Sequence, residues 1–222
     1  MKQAVIFDLD GTLWDSSDNV IKSWNEVLAR YPQYSLQVTK EDMYRYMGKT
    51  LQDIAALMLP SASKEEQMRI IGECCDNENE YLRKNGGKLY PDLETTLQKL
   101  CKDYELYIVS NCQSGYIETF LAYHKLEKYI SDIECQGNTG KDKWENIRLI
   151  MERNRVDKAV YVGDTKLDME SAHKAGARYI RAAYGFGKFE CKYPELYSLS
   201  DLPQLLMDVM PPENGSDTGS DM

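Results

Sequence analysis

The stretch from Val5 to Leu13, reading VIFDLDGTL, constrains this chain more than any other. A short apolar run bounded by a turn signal reads as a buried strand of a parallel sheet. This one delivers Asp8 and Asp10, then Gly11 and Thr12. Asp is a poor strand former, and a buried carboxylate is costly unless paired or bound to a metal. Side chains at i and i+2 share one face of a strand. That puts Asp8 and Asp10 together where the strand ends, the edge at which open α/β sheets bind ligands.

The sequence after this strand turns helical. Val20, Ile21, Trp24, Val27 and Leu28 fall at helical spacing, with Ser17 or Asp18 as the expected cap and Pro32 beyond the end. Thr39 and Asp42 open a short helix to Met47, and Leu51 to Leu59 forms another, stopped by Pro60. Ser63 and Glu66 make a capping-box pattern for a long helix toward Arg83. Asn85, Gly86 and Gly87 read as a flexible connector.

Alternation of strand and helix then resumes. Leu93, Leu97, Leu100 and Cys101 line a helix; Leu106 to Val109 is a strand ending in Ser110 and Asn111. Ile117, Phe120 and Leu121 mark a helix, Ile133 a short strand, and Trp144, Ile147, Ile150 and Met151 another helix. Ala159 to Val162 is a strand ending in Gly163 and Asp164, followed by a helix from Asp168 to Ala175 closed by Gly176. Tyr179 to Ala182 reads as the last core strand and Leu202 to Val209 as the final helix. This order predicts an α/β fold, a doubly wound parallel sheet with an inserted all-helical domain. The core spans 1–15 and 88–210, and the helical insert 16–87. Residues 211–222 are expected to be a disordered tail.

The formal charge of -9 disfavours nucleic-acid binding. No run of 18 apolar residues exists, so no membrane span is expected, and the early first strand predicts no signal peptide. Cys74, Cys75, Cys101, Cys112, Cys135 and Cys191 include no CxxC pair, which predicts reduced thiols and a cytoplasmic setting. Cys74, Cys75 and Cys112 read as packing residues, and His124 and His173 as surface residues. No obligate protein partner is evident. Trp14 reads equally as pocket wall or packing, and Lys49 lies in a break between helices from which it can reach a substrate.

Parallel strands end on one side of the sheet, so Asp8, Asp10, Ser110, Asn111 and Asp164 converge there. Two like charges about 4 Å apart repel by about 4 kcal/mol at an effective dielectric near 20. Such a cluster holds protons or binds a cation, and oxygen-only ligands point to magnesium or calcium.

Asp8-Leu9-Asp10-Gly11-Thr12 resembles the DxDGT motif of the haloacid dehalogenase (HAD) superfamily. Ser110-Asn111 resembles the second motif of that family, a lysine opening a helix the third, and Gly163-Asp164-Thr165 with Asp168 the fourth, GDTxxD. They occur in the family's order, and the insertion after the first resembles its helical C1 cap. The resemblance implies a Rossmann-like core and a magnesium-dependent phosphatase of a small phosphorylated metabolite. Asp8 would be the nucleophile and Asp10 the general acid and base. Magnesium would be held by Asp8, the Asp10 carbonyl and Asp164, with Asp168 in its outer shell. Ser110, the Asn111 N–H and Thr12 would bind phosphoryl oxygens. Lys143, four residues before Ile147, fits the family's lysine spacing better than Lys141, which stays open.

An acid at position 10 also separates the family's chemistries. Dehalogenases lack it, because halide needs no proton, and phosphonatases lack it and use a cap lysine for a Schiff base. A phosphatase is the expectation, with a β-phosphoglucomutase-like phosphotransferase on a sugar phosphate as the alternative.

Overall fold

A computed structural model describes residues 1–190 and 192–212. Cys191 and the tail from 213 onward lie outside the described residues, so the disorder expectation there is not addressed. Pro211 accepts a hydrogen bond from Gln3 Nε2 (3.0 Å), which ties the start of the tail to the first strand.

The core is one six-stranded sheet. Its strands are β1 (Gln3–Phe7), β4 (Glu105–Ser110), β5 (Asp132–Cys135), β6 (Lys158–Gly163), β7 (Arg178–Ala182) and β8 (Glu195–Leu196). They run parallel in the order β5-β4-β1-β6-β7-β8. The smaller strands β2 (Trp14–Asp15) and β3 (Lys88–Leu89) pair antiparallel outside it. Strand alternation divides the apolar residues between two faces. Val5 and Phe7 of β1 join one buried cluster with Leu97, Leu202 and Leu206; Ala4 and Ile6 join the other with Ile147, Ile150 and Ala172. Helices α5 (Leu93–Leu100) and α10 (Leu202–Val209) therefore serve the first face, and α8 (Lys143–Arg153) and α9 (Lys166–Ala175) the second. Helix α6 (Tyr116–His124) follows β4, and the short α7 (Gln136–Thr139) follows β5.

Between β2 and β3 the chain is helical: α1 (Ser17–Leu28), α2 (Lys40–Tyr46), α3 (Leu51–Met58) and α4 (Lys64–Asn85), with one 3-10 turn at Pro32–Tyr34. The Thr39–Asp42 capping box forms in full. At Ser63 only half of it forms, the side chain accepting from Glu66 N. Cys74 and Cys75 are buried on α4, as expected of packing residues.

Several expectations need correction. The cap position of α1 is Ser16, not Ser17 or Asp18, and its hydroxyl does not cap the helix. It is drawn instead to Asp10. The Asn85–Gly87 connector is packed, not loose. A Cβ on Gly86 would meet the Tyr123 ring and one on Gly87 the Trp14 ring, and β3 begins at once. Tyr179–Ala182 is not the last strand, because β8 adds parallel to it. Cys101 follows α5 and is exposed rather than part of its apolar face. His124 is half-buried against Trp14 and Phe120, and burial holds its pKa below the usual range. Trp14 is fully buried on Tyr116, Phe120 and His124, so it is packing. Among the described residues no helix is long and apolar enough to cross a membrane.

Candidate active site

The chain stays in the sheet one residue past β1, because Asp8 N donates to Val162 O (2.8 Å). It then folds back on itself: Leu13 N donates to Leu9 O (2.8 Å) and Gly11 N to Trp14 O (3.0 Å). Gly11 sits at φ +80, a left-handed conformation that an L side chain rarely adopts. This turn leaves Asp8 and Asp10 at the sheet edge and sends the chain into β2.

Two helix starts supply partners for Asp8. Lys143 opens α8 behind an Asp142–Glu145 capping box. Its Nζ lies 2.8 Å from Asp8 Oδ1 and 2.6 Å from Asp168 Oδ1. Asp168 is the third residue of α9, where its Oδ2 accepts from Thr165 N (2.9 Å) and Thr165 Oγ1 (2.6 Å) in a second capping box. Burial opposes charge on Lys143, but Asp168 and Asp8 overcome it and hold the ammonium above its usual range. Lys141 is exposed, and its backbone N–H goes to Thr139.

Asp164 directly follows the neighbouring strand β6. Its Oδ2 accepts from the backbone N–H of Phe186 (2.7 Å) and Gly187 (3.0 Å). The loop comes this close only because it is glycine-rich: a Cβ on Gly185 would lie 2.4 Å from Asp164 Cβ. Asp164 Oδ1 is buried and accepts no hydrogen bond.

The carboxylates of Asp8, Asp164 and Asp168 each place an oxygen within 4.8 Å of the others. Three carboxylates against one ammonium leave two negative charges uncompensated when all are ionised. Burial, then Asp168, raise the Asp8 pKa well above the carboxylate range; burial pushes Asp164 up to about 7. Asp168 has spent both oxygens on Lys143 and Thr165. Asp164 Oδ1 has spent nothing, and only one oxygen of Asp8 faces Lys143. A buried orphan oxygen beside a second carboxylate fits a hard divalent cation.

Asp10 stands apart from that cluster. Its Oδ1 accepts from Ser16 Oγ (2.8 Å) and Tyr116 OH (2.9 Å), which are 2.8 Å from each other. Burial pushes its carboxyl up to about 6, against those two hydrogen bonds. A carboxyl poised there is suited to both giving and taking a proton near neutrality. Ser16 and Tyr116 were not legible as site residues in the sequence. A serine just before a helix reads as a cap, and Tyr116 lies 106 residues from Asp10.

Asp8, Asp10, Ser110, Asn111 and Lys143 line one cleft, of about 570 Å³ with its open mouth included. Asp164 and Asp168 lie fully buried behind it. Thr12 is not brought to the cleft: it is fully buried, and its Oγ1 has no hydrogen-bond partner. The opposite wall comes from α1 to α4 and includes Lys49, exposed at the rim. Asn111 Nδ2 donates to Gly48 O (3.0 Å), and Asn79 Nδ2 to Ser114 O (2.9 Å), so the helices lie against the core at the cleft. His173 is exposed on α9, away from the cleft lining. Cys112 lines the cleft, and burial raises its thiol well above the usual range.

Comparison with known proteins agrees with this geometry. The family model described as haloacid dehalogenase-like hydrolase matches residues 5–182. A phosphoglycolate phosphatase of Aquifex aeolicus is 27% identical over 216 residues, covering 92% of this chain and 96% of that protein. The pyrophosphatase PpaX of Bacillus mycoides is 27% identical over 220 residues, covering 92% and 97%. The crystal structure of CbbY from Rhodobacter sphaeroides in complex with phosphate superposes with a TM-score of 0.78 at 18% identity, covering 91% of this chain and 96% of that one. At that identity the likeness is one of fold.

Proposed function

This chain belongs to the haloacid dehalogenase-like hydrolase family, and on that premise we propose that it is a phosphatase of small phosphorylated metabolites, with Asp8 as nucleophile and magnesium as its metal. The observation that carries this reading is the Lys143 ammonium held between Asp8 and Asp168, beside the unspent oxygen of Asp164. Asp8 attacks the phosphorus, the bond to the leaving oxygen breaks, and an aspartyl-phosphate forms. Asp10 gives its proton to that leaving oxygen. As a carboxylate it then takes a proton from the water that attacks the same phosphorus, releasing inorganic phosphate and restoring Asp8. Passing through a carboxylate nucleophile divides one difficult displacement into two easier ones.

Ser110 Oγ and the Asn111 N–H would bind phosphoryl oxygens, and Lys143 would balance their charge. Asp8, Asp164 and the Asp10 carbonyl would hold the magnesium, with Asp168 outside them. Bound there, the metal supplies the positive charge that Lys143 alone does not, and so eases the approach of one anion to another. Thr12, buried away from the cleft lining, has no part in this scheme. Residues 16–87 act as a cap that excludes water and selects substrate. Among the described residues five cysteines are free, which supports a reduced, cytoplasmic setting.

The two sequence relatives described above are phosphatases by name, which supports hydrolysis over the sugar-phosphate phosphotransferase, and their names put phosphoglycolate and pyrophosphate among the substrates to test. The test is magnesium-dependent phosphate release from p-nitrophenyl phosphate. Asp8→Asn is expected to lower it by about 10⁴-fold. Full activity in that variant removes Asp8 as nucleophile. Isomerisation of a hexose 1-phosphate with its bisphosphate, without free phosphate, moves the chain to the phosphotransferases.

A further inference from the structure

The mechanism above leaves one buried acid in the cleft unused. Glu78, on α4, is 4% exposed and lines the wall opposite Asp8. Trp24 Nε1 donates to its Oε2, and Gln113 is its other polar neighbour. Among the described residues it forms no salt bridge, and the charge that acts on it is Asp10, of the same sign. Burial pushes its carboxyl up to about 8, so near neutrality it is largely a neutral acid. Around it the wall is apolar: Val20, Trp24, Met43, Tyr46, Leu51 and Ile54.

This wall is poorly matched to an anion. Two lysines line the whole cleft. Lys143 is held by two carboxylates, and Lys49 stands exposed at the rim. A leaving group carrying a carboxylate or a second phosphate would have to bury its charge against hydrocarbon and beside an acid, which is costly without a paired cation. An uncharged, mostly apolar leaving group with one hydroxyl fits instead. Its hydrocarbon covers the wall, and its hydroxyl oxygen accepts the O–H of a carboxyl whose oxygens Trp24 and Gln113 already serve.

We propose that Glu78 is a specificity-determining residue, and that the substrate is a phosphomonoester of an uncharged, largely apolar alcohol bearing a second hydroxyl that hydrogen-bonds to it. The proposal rests on the phosphatase reading and departs from the anionic substrates for which the two relatives are named.

The test uses the full chain with magnesium and compares kcat/KM for phenyl phosphate, its 3- and 4-hydroxy derivatives, phosphoglycolate and pyrophosphate. In the unmodified protein the better hydroxyphenyl ester is expected to exceed phenyl phosphate by about tenfold, the value of one good hydrogen bond. Both anionic substrates are expected to fall at least about tenfold below the aryl esters. Glu78→Leu should bring the hydroxyphenyl-to-phenyl ratio to within about twofold of one, and the near-isosteric Glu78→Gln should keep part of it. Phosphoglycolate or pyrophosphate ranking first would overturn the proposal, as would a ratio unchanged in both variants. Should Glu78→Leu not fold, the ranking in the unmodified protein decides. Failure to release phosphate from any ester, p-nitrophenyl phosphate included, would instead overturn the phosphatase reading itself.

Discussion

The two walls of the cleft are built on opposite plans. At the sheet edge, Lys143 pairs with Asp8 and Asp168, while backbone N–H groups of a helix start and a glycine-rich loop hold Asp168 and Asp164. Across the cleft, hydrocarbon from α1 to α3 does the shaping, and one neutral-leaning acid supplies the polarity. The first wall is tuned to a phosphoryl group, whose charge is the same in every substrate. The second meets the part of the substrate that differs. A change on the sheet side should therefore act on all substrates alike, and one on the helical side should re-rank them.

Lys143→Met is the strongest way to break this contrast. It leaves Asp8 and Asp168 buried with no cation between them. Removing one partner of a buried ion pair costs about 3–5 kcal/mol. For a chain of this size that lowers Tm by on the order of 10 °C, measured by thermal melt without divalent metal. Phosphate release should fall by at least about 100-fold for every ester tried. An unchanged Tm would mean that the acids stay protonated and need no balance. A loss confined to some substrates would mean that Lys143 reads the leaving group.

Tyr116→Phe is gentler and sharpens the role given to Asp10. It removes one of two hydrogen bonds to Asp10 Oδ1 and leaves Ser16 in place. The expected loss in kcat is about tenfold for an alkyl phosphate, whose leaving oxygen needs a proton. It should be within about threefold for p-nitrophenyl phosphate, whose leaving group does not. Equal losses on both esters would make Tyr116 a purely structural residue.

The contrast also marks what the sequence let a reader see. The sheet-side residues announce themselves locally. An apolar run ending in an acid, a Gly-Asp-Thr at a strand end and a glycine closing α9 are each read within a few positions. The convergence of Asp8, Ser110 and Asp164 then follows from parallel strands alone. What stayed hidden is held by distant pairing or lacks a period. Lys143 meets Asp8 across 135 residues, so spacing could rank it above Lys141 but not seat it. The pattern favours Ser17 or Asp18 over Ser16 as the helix cap, and Ser16 serves Asp10 by geometry. The strands β2, β3 and β8 have two residues each, too few to alternate. Glu78 sits in a helix dense with charge, and nothing in its neighbours tells a buried acid from a solvated one.

Glu78 gives the smallest predicted effect, and one that needs no substrate. Its carboxyl sits at about 8 in the fold against an ordinary value of 4.5. Between those values the folded chain keeps a proton that the unfolded chain has released. Stability attributable to this group is thus intact below pH 4.5 and falls as pH rises toward 8. Gln at this position titrates nowhere. Glu78→Gln should therefore gain on the unmodified protein as pH climbs from 5 to 6.5, by a few °C in Tm at the upper end, roughly what 2 kcal/mol is worth in a chain of this length. A Tm difference that stays flat across the range would mean that Glu78 is solvated and ionised. The helical wall would then carry a fixed negative charge, and its contrast with the sheet edge would fail.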